Sequence, residues 1–379
     1  MRLPRLQYNL NVDHLYSPAR HPMLTSWQRF RRRTTHLLFI PRHPWRRLRG
    51  GLIIGLVVGS LLALALRTDL LSGIRLQLTD YLYTEDSLPT ACRAICLRVQ
   101  NSYTPDNPHP TQGITAIVAI DDRSLGALGR TPVEWSRGVH ADLVRVLTDS
   151  GARVIAFDLL FADPSEDDAV LAEAMLAAGN VVQPVAGGWE SSRQTTTRGE
   201  FIRFDTYTYP TAELREAAQV IGHVNIVPDE DGKVREVPLV IRDGDQYIPA
   251  MALAAYLQYL HYPVELLEIE QHHVKFANRD LYTDDIGQMM ISFFGDPTNV
   301  NQRGTFPVYS YVDVLEGHVP PEAFKDKIVL VGVLDAQGNP DSYATPSTRT
   351  GKKMYGVEII ASIIETIHQS LPTVPLIHD

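Results

Sequence analysis

Residues 114–120 read ITAIVAI and residues 327–333 read KIVLVGV. Each is a near-continuous run of β-branched and aliphatic side chains. A strand with one face in water alternates apolar and polar residues, whereas a strand covered on both faces does not. Both runs therefore predict buried strands of a parallel sheet. Val154–Phe157 is a third run of this kind, and Val181–Pro184 a fourth. Helical patterns lie between them. His140–Ser150 puts Leu143, Val146 and Leu147 on one face and stops at Gly151, and Asp167–Ala178 reads as a second helix. Strand, helix and strand in this order make a right-handed βαβ unit.

Outward from this nucleus, Thr211–Ala218, Ile248–Leu260 and Gly356–His368 read as helices, and Leu267–Phe276 and Met289–Phe294 as strands. Ile221–Val227 and Lys233–Ile241 flank Pro228-Asp229-Glu230-Asp231-Gly232, which predicts an antiparallel hairpin. Trp189–Gly199 reads as an exposed loop. The expected fold over residues 114–368 is α/β: a mixed, largely parallel sheet with flanking helices and an antiparallel hairpin.

The first fifty residues carry eleven arginines against the single acid Asp13, a net +10. The chain as a whole is −9, so the remainder carries −19. A basic head on an acidic body implies two environments, and an acidic body repels a phosphate backbone, so nucleic acid is not an expected partner. Gly50 to Leu66, GGLIIGLVVGSLLALAL, is free of charge and apolar on every face. As a helix it would be roughly 25 Å long, at the short end of what crosses a bilayer. The reading is one transmembrane helix over 50–66, preceded by a basic, disordered cytoplasmic segment over 1–49 whose arginines meet membrane lipid. Ala63-Leu64-Ala65 leaves a cleaved leader as the rival, against which stands the length of the segment before it. Residues 67–113 follow as a juxtamembrane stalk and a Pro/Asn/Ser-rich loop, and residues 369–379 as a tail leading toward further membrane helices. The orientation rule then places the main domain outside the inner (plasma) membrane. Cys92 and Cys96 are either a small-loop disulfide or two free thiols; a lone CxxxC lacks the four ligands of a structural zinc.

Three buried strands deliver acids just past their C-terminal ends: Asp121 and Asp122, then Asp158 with Asp163 nearby, then Asp335 and Asp341. Open α/β sheets bind ligands outside those strand ends. If the strands are neighbours, the carboxylates converge on a site for a divalent cation, Mg²⁺ or Ca²⁺, or for a ligand with amino or hydroxyl groups. The competing reading is that an Asp after a strand caps the next helix or starts a turn. Asp229-x-Asp231-Gly232 resembles the start of a calcium loop but has no Glu at the twelfth position, so it reads as a turn. His272-His273 lies in an expected strand, where neighbours face opposite sides, and His223 reads as a packed histidine. No P-loop, G-x-S-x-G, HExxH or dinucleotide fingerprint occurs.

The order of motifs resembles the class-two CHASE-type sensors (cyclases/histidine kinases associated sensory extracellular domain). The matching pieces are Ala119-Ile120-Asp121-Asp122-Arg123-Ser124, then His140-Ala141, then Gly151-Ala152 leading to Phe157-Asp158. Gly222-His223-Val224-Asn225 with Asp229 to Arg235 and Pro238-Leu239 follow, and last come Lys327 to Gly332, Thr345-Pro346 and Gly356-Val357-Glu358. Two places depart from the pattern. Thr131-Pro132-Val133-Glu134-Trp135-Ser136 stands before the His-Ala helix, and Leu334 to Ser342 strays from the usual Gly-Leu-x-Asp. The resemblance implies a bacterial extracytoplasmic sensor that takes a small-molecule or envelope signal, acts as a homodimer, is not itself an enzyme, and feeds a cyclase or kinase output absent from these residues. The alternatives are an anchored metal-dependent extracytoplasmic hydrolase and a stand-alone envelope binding protein.

Overall fold

The computed structural model describes residues 51–61, 113–189, 199–298, 304–334, 341–348 and 353–370. The chain divides into two compact units, residues 1–75 and 76–379. The second unit begins with β1 (Thr115–Ile120), α1 (Asp122–Leu128), α2 (Arg137–Asp149), β2 (Val154–Phe157), α3 (Asp168–Ala178) and β3 (Val181–Gly188). It continues with β4 (Thr206–Thr208), α4 (Ala212–Ala217), β5 (Val220–His223), β6 (Glu236–Pro238), β7 (Val240–Asp243), β8 (Gln246–Pro249) and α5 (Met251–Tyr259). Then come β9 (Glu268–Glu270), β10 (His273–Phe276), β11 (Arg279–Tyr282), β12 (Gln288–Met290), β13 (Val308–Ser310) and α6 (Tyr311–Leu315). The last elements are β14 (Ile328–Val333), β15 (Ser342–Tyr343), β16 (Met354–Tyr355) and α7 (Gly356–Gln369).

The two runs that open the sequence argument lie side by side. β1 and β14 pair in parallel from Thr115 opposite Ile328 to Ile120 opposite Val333. The sheet order is β13-β1-β14-β2-β3, with β5 parallel on β3 and β4 antiparallel to the last residues of β3. All six residues of β1 are buried, as are the four of β2, because helices cover both faces. Ala116, Val118, Ile120, Ile155, Phe157, Val329 and Val331 pack under α2, α3, α4 and α6. Ile117, Val154, Ala156, Ile328 and Leu330 pack under α5 and α7. Truncating a residue such as Leu330 to alanine would cost about 2–5 kcal/mol.

Helix limits follow local chemistry. Ser136 Oγ accepts from the Gly138 amide at 3.2 Å and starts α2. Gly179, at φ +64°, ends α3 and returns its amide to Met175 O at 2.9 Å. The buried Arg137 ties α2 to α3. Its Nε donates to Asp168 at 2.9 Å, one terminal nitrogen donates to the Asp163 carbonyl at 3.0 Å, and the guanidinium lies 4.6 Å from the Phe161 ring centre.

Several expectations are corrected. The hairpin across 221–241 does not form. β5 joins the large sheet instead, β6 pairs with β12, and β7 pairs with β8. The turn at 229–232 is present, but Asp229 and Asp231 are held by the buried Arg235, with Asp231 accepting two bonds at 2.9 and 2.7 Å. A fully buried guanidinium recruits the nearest carboxylates, so the calcium-loop resemblance has this other cause. The strand expected over 267–276 breaks at His272, which has φ +71°, and becomes the β9–β10 hairpin. The helix expected from Ile248 starts only at Met251, because Gln246–Pro249 is strand β8. The membrane helix expected over 50–66 stands apart from these corrections, because only part of it falls on described residues. Residues 51–61 are helical, about 16 Å at 1.5 Å per residue, and 62–66 lie outside the described residues. Among the described residues, no helix is long and apolar enough to cross a membrane. The stalk, Cys92, Cys96, Asp335 and most of the 189–199 loop also lie outside them.

Candidate functional site

The strand-end acids separate into two groups. β14 lies between β1 and β2, so the ends of β1 and β2 are two strand spacings apart, about 10 Å. At the end of β1, Asp121 is the N-cap of α1. Its Oδ1 accepts from the Ser124 amide at 2.9 Å, from Ser124 Oγ at 2.6 Å and from Ser310 Oγ at 3.0 Å. Asp122 is the exposed first residue of the same helix. Capping accounts for Asp121 and the helix dipole favours Asp122, and neither lines the cavity that holds Asp158. Asp163 contributes its carbonyl to Arg137, as described above.

Asp158 and Asp341 do come together. Asp158 follows β2, and its amide donates to Val331 O at 2.7 Å. Phe157 before it faces the α2–α3 layer, so alternation turns Asp158 to the α7 side. A Cβ at Gly332 would stand 3.2 Å from the Asp158 Cβ and 2.8 Å from that of Val357. β14 therefore needs glycine there to admit both. Asp341 lies across the start of α7, where a Cβ on Gly356 would be 2.2 Å from Asp341 Oδ2. The Gly356 amide donates to the Asp341 carbonyl at 3.1 Å. A carboxylate here faces the positive end of the α7 dipole. The Tyr343 hydroxyl donates to the Asp341 carboxylate.

The two carboxyls share a cavity of about 260 Å³ with Tyr343, Asn225, Gly356 and Ile360. Asn225 is a wall rather than a free ligand. Its side-chain amide exchanges two 2.7 Å bonds with the Gly187 backbone and extends the β3–β5 ladder by one step. Burial pushes the Asp158 carboxyl up to about 8, and the charge of Asp341 adds to the rise. Burial also raises Asp341, offset in part by the Tyr343 hydrogen bond. Like-charged carboxyls in a poorly solvated site do not both ionise readily, so the pair retains a proton near neutral pH. Such a pair answers to a proton, a hard cation or an ammonium or hydroxyl group, each of which replaces or engages that shared proton.

Most other marked residues have structural partners; among the described residues, the two buried ring nitrogens of His223 have no hydrogen-bond partner. His140 is buried, with Nε2 donating to Pro132 O at 3.1 Å and Nδ1 meeting the Tyr311 hydroxyl at 2.9 Å. Its ring stacks on Trp135, and burial lowers its pKa to about 4, so it is neutral. The departure at Thr131 to Ser136 thus supplies the bed for this histidine and the cap of α2. His223 is buried at the end of β5 and lowered to about 3 by desolvation. His273 pairs with Asp280 on the neighbouring strand at 2.7 Å, while His272 sits in the turn before it. Among the described residues, Asp313, Glu316 and His318 form an exposed three-ligand cluster, but Arg123 already bridges Asp313 at 2.6 Å and Glu316 at 3.3 Å.

The CHASE2 domain family model matches residues 54–378. The chain belongs to the CHASE2 family. No curated protein and no solved structure matches it. CHASE2 is an extracellular sensory domain family rather than a catalytic one, and the acidic cavity of this CHASE2 domain is built from its matched region. Sequence reasoning missed Tyr343 and Gly356. Two signals point to them: an aromatic hydroxyl two residues from Asp341, and a glycine at the first position of an otherwise strongly helical run.

Proposed function

We propose that this CHASE2 domain is the input half of a transmembrane receptor and that the Asp158–Asp341 cavity is where its signal is read. The observation that carries this reading is the placement of Asp341 across the first residue of α7. A change in the charge or occupancy of the pair alters the load on the start of that helix. α7 then runs the depth of the domain. Its Glu365 accepts from the Thr115 amide at 3.1 Å, and at its last turn Arg279 donates to Ile367 O at 3.1 Å and to Ser370. A signal acts by biasing an existing equilibrium between arrangements of α7. Hydrogen exchange of the α7 amides between pH 6.5 and 9 tests this coupling. Protection in the first turn, corrected for the intrinsic pH dependence of exchange, changes more with pH in the wild type than in Asp158→Asn; equal behaviour of the two proteins defeats the reading.

In the same reading, residues 50–66 anchor the domain in the inner membrane, the arginine-rich start stays in the cytoplasm, and an output module beyond residue 379 receives the signal, in a homodimer. A Cys92→Ser/Cys96→Ser background with a single cysteine at Gln28 or at Glu230 tests the orientation in intact cells. A membrane-impermeant maleimide labels position 230 and spares position 28; labelling at 28 reverses the assignment. The hydrolase alternative needed carboxylates from three strands at one point. Among the described residues, Asp158 and Asp341 share the cavity while Asp121 and Asp122 stand at the start of α1, which supports recognition over metal-assisted hydrolysis.

A further inference from the structure

The opposite rim of the sheet, at the N-terminal ends of β2, β3 and β5, holds a larger cavity of about 650 Å³. Arg153, Asn180 and Gln219 enter it from the residues just before these three strands, and Gln258 and His261 from the end of α5 and the turn beyond. This volume falls within the usual range of small-molecule sites.

Among the described residues, two buried polar atoms on this wall have no hydrogen-bond partner. Arg153 Nε is a donor with nothing to donate to, and Asn180 Oδ1 is an acceptor with nothing to accept from. The Asn180 amide nitrogen is already committed, donating to Ala152 O at 2.9 Å, which fixes the side chain. The Arg153 guanidinium carbon lies over the Tyr259 ring, 4.5 Å from its centre, and among the described residues no carboxylate pairs with it. Guanidinium does not lose its proton when desolvated, and its planar fork matches carboxylate and phosphate oxygens. A fixed cation without a carboxylate partner, in the same cavity wall as a fixed, unsatisfied acceptor, asks for one ligand that supplies both complements. That ligand carries an anionic group for Arg153 and a hydroxyl or ammonium for Asn180.

We infer that this rim is a second ligand site, for a small anion bearing an adjacent hydroxyl or amino group. Hydroxy and amino carboxylates have this chemistry in solution, and the serine headgroup of an anionic phospholipid has it at a membrane surface. The rim is also where both ends of the domain leave the sheet. Lys327 Nζ donates to the Gly113 carbonyl just before β1, and the last turn of α7 ends beside it, with Glu365 bonded to Thr115. The site stands apart from the Asp158–Asp341 cavity and does not depend on it.

Binding to the full chain is measured by calorimetry with L-serine and L-malate, and by sedimentation with phosphatidylserine vesicles against phosphatidylcholine vesicles. Saturable binding of at least one of these probes is expected. It should weaken tenfold or more in Arg153→Gln, weaken less in Arg153→Lys, and stay unchanged in Asp158→Asn. Soluble probes alone identify a metabolite site; vesicles alone, with the same Arg153 dependence, identify a headgroup site. Gln219→Trp places a bulky side chain at the exposed mouth of the cavity, and should abolish binding even if the Arg153 variants fold poorly. Absence of saturable binding, which would leave only water to satisfy the two orphan atoms, overturns the assignment. So does binding indifferent to Arg153 and Gln219, including vesicle binding through the arginine-rich N-terminus.

Discussion

At the C-terminal ends of its strands the sheet gathers Asp158, Asp341 and Tyr343; at the N-terminal ends it gathers Arg153, Asn180 and Gln219. The two rims solve the problem of a poorly solvated polar group in different ways. A carboxyl neutralises itself by taking up a proton, so the acidic rim answers burial with a raised pKa. A guanidinium has no such escape, so the basic rim answers with an aromatic ring beneath the cation and, among the described residues, leaves its Nε donor without a partner. The first rim is consequently tuned by pH and cations, and the second by anions whose binding changes no protonation state. Substitutions that act on one rim and spare the other test this division.

The largest effect is expected from Gly332→Val. The added side chain meets Val357 and Asp158 at distances that packed atoms do not tolerate, and it does so in a strand that cannot move without disturbing β1 and β2. A loss of about 3 kcal/mol is expected, at the upper end for overpacking, read as a lowered denaturant midpoint with an unchanged slope. Anion binding at the far rim persists in the folded fraction. A stability within experimental error of wild type would mean that Asp158 and α7 are less tightly placed than the geometry requires.

Next comes Asp158→Asn. In the native state this carboxyl holds its proton to about pH 8, whereas in the unfolded chain it releases it near 4. Between those values the native state binds more protons, so this group's contribution to stability falls as pH rises. Buried His140 and His223, whose pKa values are lowered, act in the reverse sense, and their contribution is lost as pH falls below about 6.5. The window from pH 6.5 to 8 therefore isolates the carboxyls. There the wild type loses stability with pH and the variant loses less, ending about 2 kcal/mol more stable than wild type at pH 8, because an unsatisfied buried charge has been removed. Raised Asp341, Glu358 and Glu365 leave some slope in the variant. Identical slopes in the two proteins would remove the proton-sharing pair.

The acidic rim was partly legible in the sequence and the basic rim was not. Apolar runs such as ITAIVAI announce buried parallel strands, and the acid after each run marks the C-terminal edge. Which acids meet depends on strand order, and order is a tertiary outcome. β14 arrives last in the chain and inserts between β1 and β2, so Asp121 is left to cap α1 while Asp158 finds Asp341. The same blindness produced the false hairpin, since Val220–His223 and Glu236–Pro238 are strands by local pattern but find partners in different sheets. Arg153 and Asn180 carry no local signal at all. Each sits one residue before a strand, a position filled by polar residues in any α/β chain, and only the missing hydrogen bonds set them apart.

Asp121→Ala separates capping from site chemistry. It removes three accepted hydrogen bonds at the start of α1, and a loss of about 1 kcal/mol is expected. The pH slope between 6.5 and 8 should match the wild type, because Asp121 belongs to neither cavity. A changed slope would bring the end of β1 back into the acidic site.

The smallest effect on stability is expected from Arg153→Met. The methionine chain keeps apolar contact with Tyr259 while the charge and the orphan Nε–H are lost. A cation–π contact at a half-exposed site contributes about 0.5–1 kcal/mol, and removing an unpartnered buried donor returns a comparable amount. The two terms nearly cancel, so the denaturant midpoint should shift by less than about 0.5 kcal/mol, with no change in pH slope. The balance depends on the donor being unpartnered, so the result bears on ligand binding as well. If a permanent partner held the guanidinium in place, the substitution would strand that partner and cost about 2 kcal/mol. Near-neutral stability together with lost affinity for the anionic probe is the signature of a donor kept free for a ligand.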